Sequence, residues 1–420
     1  MTNKKVMILA IALLVTMSVV AQNSTNSPYT RFGYGKLVDA GFGRTNAMGG
    51  IGIGFRQKTT INPSNPASYS EIDSTSFLFE LGFSGLMTKF STNSYKSSKT
   101  TGNIDFVSML FPISKKIGMS IGLLPYSFVG YNFSTKDSLL LPSTNDEVYR
   151  TNYQSFAGAG SISQVYFGLS YTIYKELSMG INCYYMFGSL KNIRYTEQTF
   201  SDKRKSYPTY SEAELRVNAL NARLGLQYTK PLRQNKDILT VGAIYELKHQ
   251  LGSKYNRITQ GVDTVSEELT NVFELPNVYG LGVTYRFDNR LLIGLDAQMQ
   301  QFSQAKFQNK TDFLKDRLKI SLGAEYVRNP KANRYFDRMV WRLGGNFSNA
   351  YTSVNNRSFG NYNVSAGAGF PFKPIKGMLN ISFEYGGYGT TKYDLIKEDY
   401  VKLGITFTLN EDWFYKRKVR

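Results

Sequence analysis

Near the C-terminal end, the run from Val401 to Leu409 alternates apolar side chains (Val401, Leu403, Ile405, Phe407, Leu409) with small or polar ones (Lys402, Gly404, Thr406, Thr408). A two-residue period places one set on each face of a β-strand. The same pattern recurs in Met179, Ile181, Cys183, Tyr185 and Phe187, in Leu239, Val241, Ala243, Tyr245 and Leu247, and in Leu291, Ile293, Leu295, Ala297 and Met299. In each case one face is apolar and the other mixed. Strands are predicted to begin near Ser76, Gly102, Gly118, Ser163, Leu177, Glu214, Ile238, Leu275, Leu291, Leu318, Met339, Asn361, Met378 and Tyr400, which is fourteen, an even number. The connections alternate in length. Ile113 to Ile117, Tyr174 to Glu176 and Asp288 to Arg290 are short, whereas Ser134 to Ile162, Lys191 to Ala213 and Gln250 to Glu274 are long. A Greek-key sandwich has the period but no reason to keep this rhythm; a bacterial barrel, with tight periplasmic turns and longer external loops, has both. The expected fold is all-β, a 14-stranded antiparallel transmembrane β-barrel over residues 76–409.

The ends of the chain refine this picture. Lys4 and Lys5 precede an apolar run from Val6 to Val20, and Val19, Val20 and Ala21 supply small side chains for cleavage. Residues 1–21 are therefore predicted to be a secretory signal peptide, cleaved near Ala21. No later stretch reaches the roughly 18 apolar residues of a membrane helix, which directs an exported barrel to the bacterial outer membrane. Residues 22–75, rich in Gly, Asn, Ser and Pro, are too long for a leader arm and are expected to form a plug, or hatch, inside the lumen. A disordered periplasmic arm is the alternative. Residues 410–420 are expected to be a periplasmic tail.

Charge sits on the face opposite the apolar set. Glu80, Glu246, Asp296, Lys319, Glu325, Arg342, Glu384 and Lys402 share that parity, and an ion facing lipid at mid-depth would cost a few kcal/mol, so they are expected to point into the lumen. The cations of the plug segment are expected to pair with lumen carboxylates such as Glu325 and Glu384. Overall the chain has 50 Lys and Arg against 31 Asp and Glu, a formal net charge of +19. Many of the cations fall in the short turns, where nucleic acid is not an expected partner; such a rim can attract anionic lipid or an acidic periplasmic protein, and a generic solvated rim is the alternative. One His (His249) and one Cys (Cys183) cannot build a structural zinc site, an iron–sulfur cluster or an internal disulfide. The Gly118 to Gly122 stretch mimics a nucleophile elbow around Ser120, but it opens a strand and has no histidine partner beside it. No catalytic residue, metal ligand or cofactor is expected.

The stretch from Gly41 to Ser70, with Asn62-Pro63-Ser64 followed by Asn65-Pro66-Ala67, resembles the N-terminal region of FadL-like outer-membrane transport proteins, in which a Gly-rich segment leads into an Asn-Pro-Ala motif. Leu275 to Phe287, Leu322 to Pro330 and the terminal Thr406 to Lys418 are similar to the Bacteroidetes branch of that family. The resemblance implies a fourteen-stranded barrel with an N-terminal hatch, the plug motif being Asn62, Pro63, Asn65 and Pro66. It also gives meaning to Gly122, Pro125 and Gly130 in the third strand. A strand proline lacks the ladder donor, so a kink or bulge is expected there. In the family such a kink resembles a side door into the bilayer; a bulge that only adjusts curvature is the other possibility.

Two functions follow as expectations. One is a passive channel for hydrophobic, fatty-acid-like molecules with a lateral exit near Pro125, its pocket lined by Leu78, Met186, Ile244 and Leu292. The other is a non-transporting barrel subunit of a secretion or outer-membrane assembly machine. A continuous apolar tunnel favours the first, a lumen filled by the plug and charged side chains the second.

Overall fold

A computed structural model describes residues 24–39, 41–141, 148–202, 204, 206–234, 236–354, 357–372 and 377–412. The expected signal peptide and the tail from residue 413 onward lie outside the described residues. Among the described residues, fourteen strands form the wall: β1 (Ser76–Ser91), β2 (Lys96–Ser114), β3 (Ile117–Leu141), β4 (Val148–Tyr174), β5 (Leu177–Phe200), β6 (Thr209–Leu232), β7 (Asp237–Glu246), β8 (Val278–Phe287), β9 (Leu291–Gln300), β10 (Arg317–Val327), β11 (Val340–Asn349), β12 (Gly360–Pro371), β13 (Met378–Gly389) and β14 (Lys397–Asp412). Each pairs antiparallel with the next. β14 then pairs with β1 from Lys397 opposite Ser91 to Asp412 opposite Ser76, which closes the cylinder and leaves the membrane no open sheet edge. The last strand thus runs three residues past the expected barrel boundary at 409, and Asn410 to Asp412 belong to the wall.

The apolar parity faces outward. Leu226, Leu281, Leu295, Leu322, Leu343 and Leu403 are exposed on the barrel exterior, as is Cys183. In the outer membrane this belt is solvated by lipid tails. The opposite parity is buried inward, and the charged residues on it are largely closed to solvent: Glu80, Glu246, Asp296, Lys319, Glu325 and Arg342 are all at most 8% exposed.

The long connections differ from the sequence expectation. β3 continues to Leu141 and β4 starts at Val148, β5 continues to Phe200 and β6 starts at Thr209, so most of the stretches expected as loops are strand. Between β7 and β8, Ser253–Gln260 and Thr264–Thr270 form a hairpin whose first strand pairs with the upper half of β6. Phe273–Leu275, expected at the start of a wall strand, pairs instead with His249–Leu251 in a separate ribbon. Beyond the membrane both faces of a strand meet water, so the alternation that reveals a strand disappears while the hydrogen-bond ladder goes on.

Candidate functional site

The bore is occupied by the chain's own N-terminal segment, and the sequence dictates how. Asn65 is fully buried. Its Oδ1 accepts from Ala67 N (3.1 Å), capping the short 3-10 turn Pro66–Glu71, while its Nδ2 donates to Ile53 O (2.8 Å) and to Leu226 O on β6 (3.1 Å). Asn62 Nδ2 donates to Gly52 O (2.7 Å) and Phe55 O (2.8 Å), drawing the Gly-rich loop back on itself. Pro63 presents its carbonyl to Asn182 Nδ2 on β5 (3.1 Å), and Pro66 lies against Gly180 of the same strand. The Asn-Pro repeat therefore works as a local brace that, with Gln227 Nε2 on β6 donating to Ile53 O and Phe55 O, satisfies the buried carbonyls of a segment without regular structure.

Charge fastens this segment to one side of the wall, strands β9 to β12. Arg44 donates from Nε and Nη2 to the two oxygens of Glu325 on β10 (2.5 Å each), and Arg342 on β11 donates Nε to Glu325 Oε2 (2.8 Å). Asp39 pairs with Arg317 (3.1 Å) and Lys319 (2.8 Å). Burial would raise the Asp39 pKa, but the two cations outweigh it and hold the carboxyl well below its usual range. Asp296 on β9 accepts from Gly52 N (2.6 Å) and Ile53 N (2.7 Å). Gly49 N donates to Ser365 Oγ on β12, and Asn346 Nδ2 on β11 donates to Gly49 O, both at 2.9 Å.

Other charges differ from the expected pairing. Among the described residues Glu384 forms no ion pair with a cation of the segment; it accepts from Asn363 Nδ2 (2.9 Å) and Tyr400 OH (2.7 Å), neutral donors on adjacent strands, and Lys36 of the segment lies over the Tyr400 ring at 5.0 Å. Arg56 pairs with Glu71 and Lys58 with Asp73, inside the segment. Glu80 accepts from Thr408 Oγ1, Glu246 pairs with Arg223, and Lys402 with Asp105. The candidate ligand-lining residues are inward, but three of the four do not border an open chamber in the middle of the bore. Leu78 and Met186 belong to the main apolar cluster, and Leu292 packs with Met48, Ile51 and Phe55. Ile244 alone of the four borders the small cavity described below.

The signal that sequence reasoning missed is glycine on the inward parity. Gly118 on β3, Gly180 on β5, Gly225 on β6 and Gly242 on β7 face the segment so closely that a Cβ would overlap Tyr69 O, the Pro66 carbonyl, Asn65 Oδ1 and Ile53 O respectively. Across the ladders Gly180 stands opposite Gly225, Gly242 opposite Gly282, and Gly323 opposite both Gly294 and Gly344. These pairs form a smooth track along which the segment's backbone lies against the wall.

One stretch of wall is irregular. The β2–β3 ladder ends at Val107 opposite Leu123, and the β3–β4 register shifts between Pro125 and Ser127. Above the break the free edge of β3 is taken by Lys36 and Leu37, which pair with Phe128 and Ser127. Gly122 packs under Val107 O and the Tyr166 ring, and Gly130 exchanges backbone bonds with the Thr30 hydroxyl, its N donating at 3.1 Å. Beside the break lies a cavity of about 210 Å³ bordered by Phe42, Phe106, Leu124 and Pro125, and also by Asp105, Lys319 and Lys402. A neighbouring cavity of about 80 Å³ is bordered by Arg223, Glu246, Asp296, Arg317 and Ile244.

With this geometry in view, comparison with known proteins places the fold. The CymD monoaromatic hydrocarbon channel superposes with a TM-score of 0.60 at 16% identity, over 90% of this chain and 99% of that one. The Ralstonia pickettii toluene transporter TbuX gives 0.59 at 15% identity, over 88% and 98%. A Pseudomonas aeruginosa FadL homologue gives 0.57 at 13%, over 90% and 99%. The fold is thus that of the FadL-like outer-membrane barrels. No curated protein matches the sequence. The family model described as BamG matches residues 1–420, and on that match over its whole length the chain belongs to the BamG family.

Proposed function

We propose that this outer-membrane barrel is a non-transporting subunit of an outer-membrane assembly or secretion machine, a docking component whose bore is shut by its own N-terminal segment. The observation that carries the reading is the Arg44–Glu325–Arg342 clasp, a buried ion-pair cluster, together with the Asp39–Arg317–Lys319 clasp, in which two buried cations meet a half-buried carboxylate. Opening a passage would break buried pairs, at about 3–5 kcal/mol for each charge left without its partner. The cavities of about 80 and 210 Å³ described above fall short of the roughly 300–1,000 Å³ of a small-molecule site, and both are bordered by several ions. The strands that extend above the membrane and the basic short turns then serve as contact surfaces.

The test is purification from native membranes in mild detergent, with mass spectrometry of proteins and bound lipid. A stoichiometric protein partner without a hydrophobic ligand supports the subunit reading; a retained hydrophobic ligand without a partner overturns it.

A second reading is favoured by the wall break. In a passive channel for hydrophobic, fatty-acid-like molecules, the cavity beside Pro125 is the ligand site and the β2–β3 gap its lateral exit. A dry cavity of about 150 Å³ already accepts benzene, so 210 Å³ is room for one aromatic ring. Hydrocarbon uptake into vesicles that is abolished when β2 and β3 are cross-linked above Leu123 supports this reading, and uptake indifferent to the cross-link removes it.

A further inference from the structure

At the end of the barrel with the short connections, which is the periplasmic end, a basin of about 260 Å³ opens between the turn Asp288–Arg290, the connection leading into β11, and the N-terminal segment. Four arginines border it: Arg44, Arg286, Arg290 and Arg338. Arg44 is committed to Glu325. Among the described residues no carboxylate pairs with the side chains of the other three, and Arg338 Nε is closed to solvent without an acceptor. The carboxylates around them are already engaged: Glu325 with Arg44 and Arg342, Asp337 with Arg328, and Glu71 with Arg56.

Three guanidinium groups around one concavity repel one another, and an anion seated between them relieves that repulsion. Guanidinium forks match an oxyanion in geometry as well as in charge. Arg286 shares the inward parity of β8 with the buried Gly282 and Thr284, so the basin opens along the barrel axis and not toward the lipid. Headgroups packed around the outer wall do not reach it.

We infer that this basin is an oxyanion-binding site, and that it takes carboxylates of an acidic segment of a periplasmic protein. The source of the carboxylate rests on the subunit reading above; the site itself does not.

The test uses the full chain in detergent, with a fluorescein-labelled hexaglutamate peptide followed by anisotropy. Binding is expected to weaken roughly ten- to hundredfold in Arg286→Gln and in Arg338→Gln, the share of one charge-assisted hydrogen-bonding group, and to be restored only in part by Arg286→Lys, which keeps the charge without the fork. Lys175→Gln, on a different periplasmic turn, is expected to leave it unchanged. Heat-modifiable migration on gels verifies that each variant is folded. Absence of peptide binding by the wild-type chain overturns the site, as does equal weakening by Lys175→Gln. Displacement of the peptide by equimolar inorganic phosphate overturns the peptide assignment and makes free phosphate the ligand. Arginine-dependent binding of the peptide, combined with no protein partner in native membranes, supports the site while removing the subunit reading.

Discussion

Replacing Glu325 with Gln separates the closure of the bore from the integrity of the wall. The Glu325 carboxylate accepts two hydrogen bonds from Arg44 and one from Arg342, and the Arg342 side chain is 0% exposed. Glutamine keeps the shape but removes the charge, leaving two buried cations facing each other without an anion. Removing one member of such a cluster costs about 3–5 kcal/mol. The wall retains its ladders on both sides of β10, so the loss falls mainly on docking of the N-terminal segment. At 1.4 kcal/mol per tenfold, the open population of the segment is expected to rise about a hundred- to several-thousandfold. Hydrogen exchange at the amides of Gly49 to Ile61 reads this directly, since exchange through local opening follows that population. Glu384→Gln is the matched control. Its carboxylate bonds to Asn363 and Tyr400 and, among the described residues, forms no ion pair with the segment, whose Lys36 reaches only the Tyr400 ring, so exchange from Gly49 to Ile61 is expected to change less than about fivefold. Segment exchange equal in Glu325→Gln and wild type, or equal in the two variants, would refute the argument that ion pairs hold the bore shut.

Other consequences are open to the same kind of test. Gly242→Val places a side chain against Ile53 O and is expected to loosen the segment by about 1–3 kcal/mol while heat-modifiable migration still reports a closed barrel. Asn65→Ala removes a turn cap and leaves Ile53 O with Gln227 Nε2 as its side-chain donor; faster exchange at Ile53 and Ala67, worth about 1–2 kcal/mol, is expected. Because the Asp39 carboxyl is held well below its ordinary value, its clasp contributes stability above the free-carboxyl range near about 3.9 and loses it only as pH falls through the lower folded value. Pepsin at about pH 4 should therefore leave the segment around Val38 and Asp39 uncut, and cleavage there would contradict the pairing. Leu281→Arg, on the exposed outer belt, is expected to lower folding stability in bilayers by about 2–4 kcal/mol in a urea titration.

What could be read in the sequence follows from what each residue meets. Strands such as Leu291–Gln300 and Arg317–Val327 run between lipid and lumen, so their alternation is strong and their starts fall where the two-residue period begins. The strand halves above the membrane, such as Thr135–Leu140 of β3 and Tyr149–Ser155 of β4, are exposed or half-buried along both faces and carry no such period. Partner choice within the lumen was less legible than parity. Glu325 and Glu384 have the same parity, yet one meets an arginine of the segment and the other does not, because that depends on the path of an irregular loop. Inward glycines such as Gly180 and Gly242 were visible in the alternation, but their meaning emerges only with the segment's backbone in place. The three unpaired arginines of the periplasmic basin come from β8, the turn after it and the connection before β11, which no local pattern brings together.

The account rests on a bore sealed by the chain's own N-terminal segment, and conductance of the purified full-length chain in a planar lipid bilayer measures this most directly. With both clasps intact the inserted barrel is expected to be electrically silent, and Glu325→Gln to produce intermittent openings. Steady, ohmic conductance from the wild-type chain would contradict the central claim.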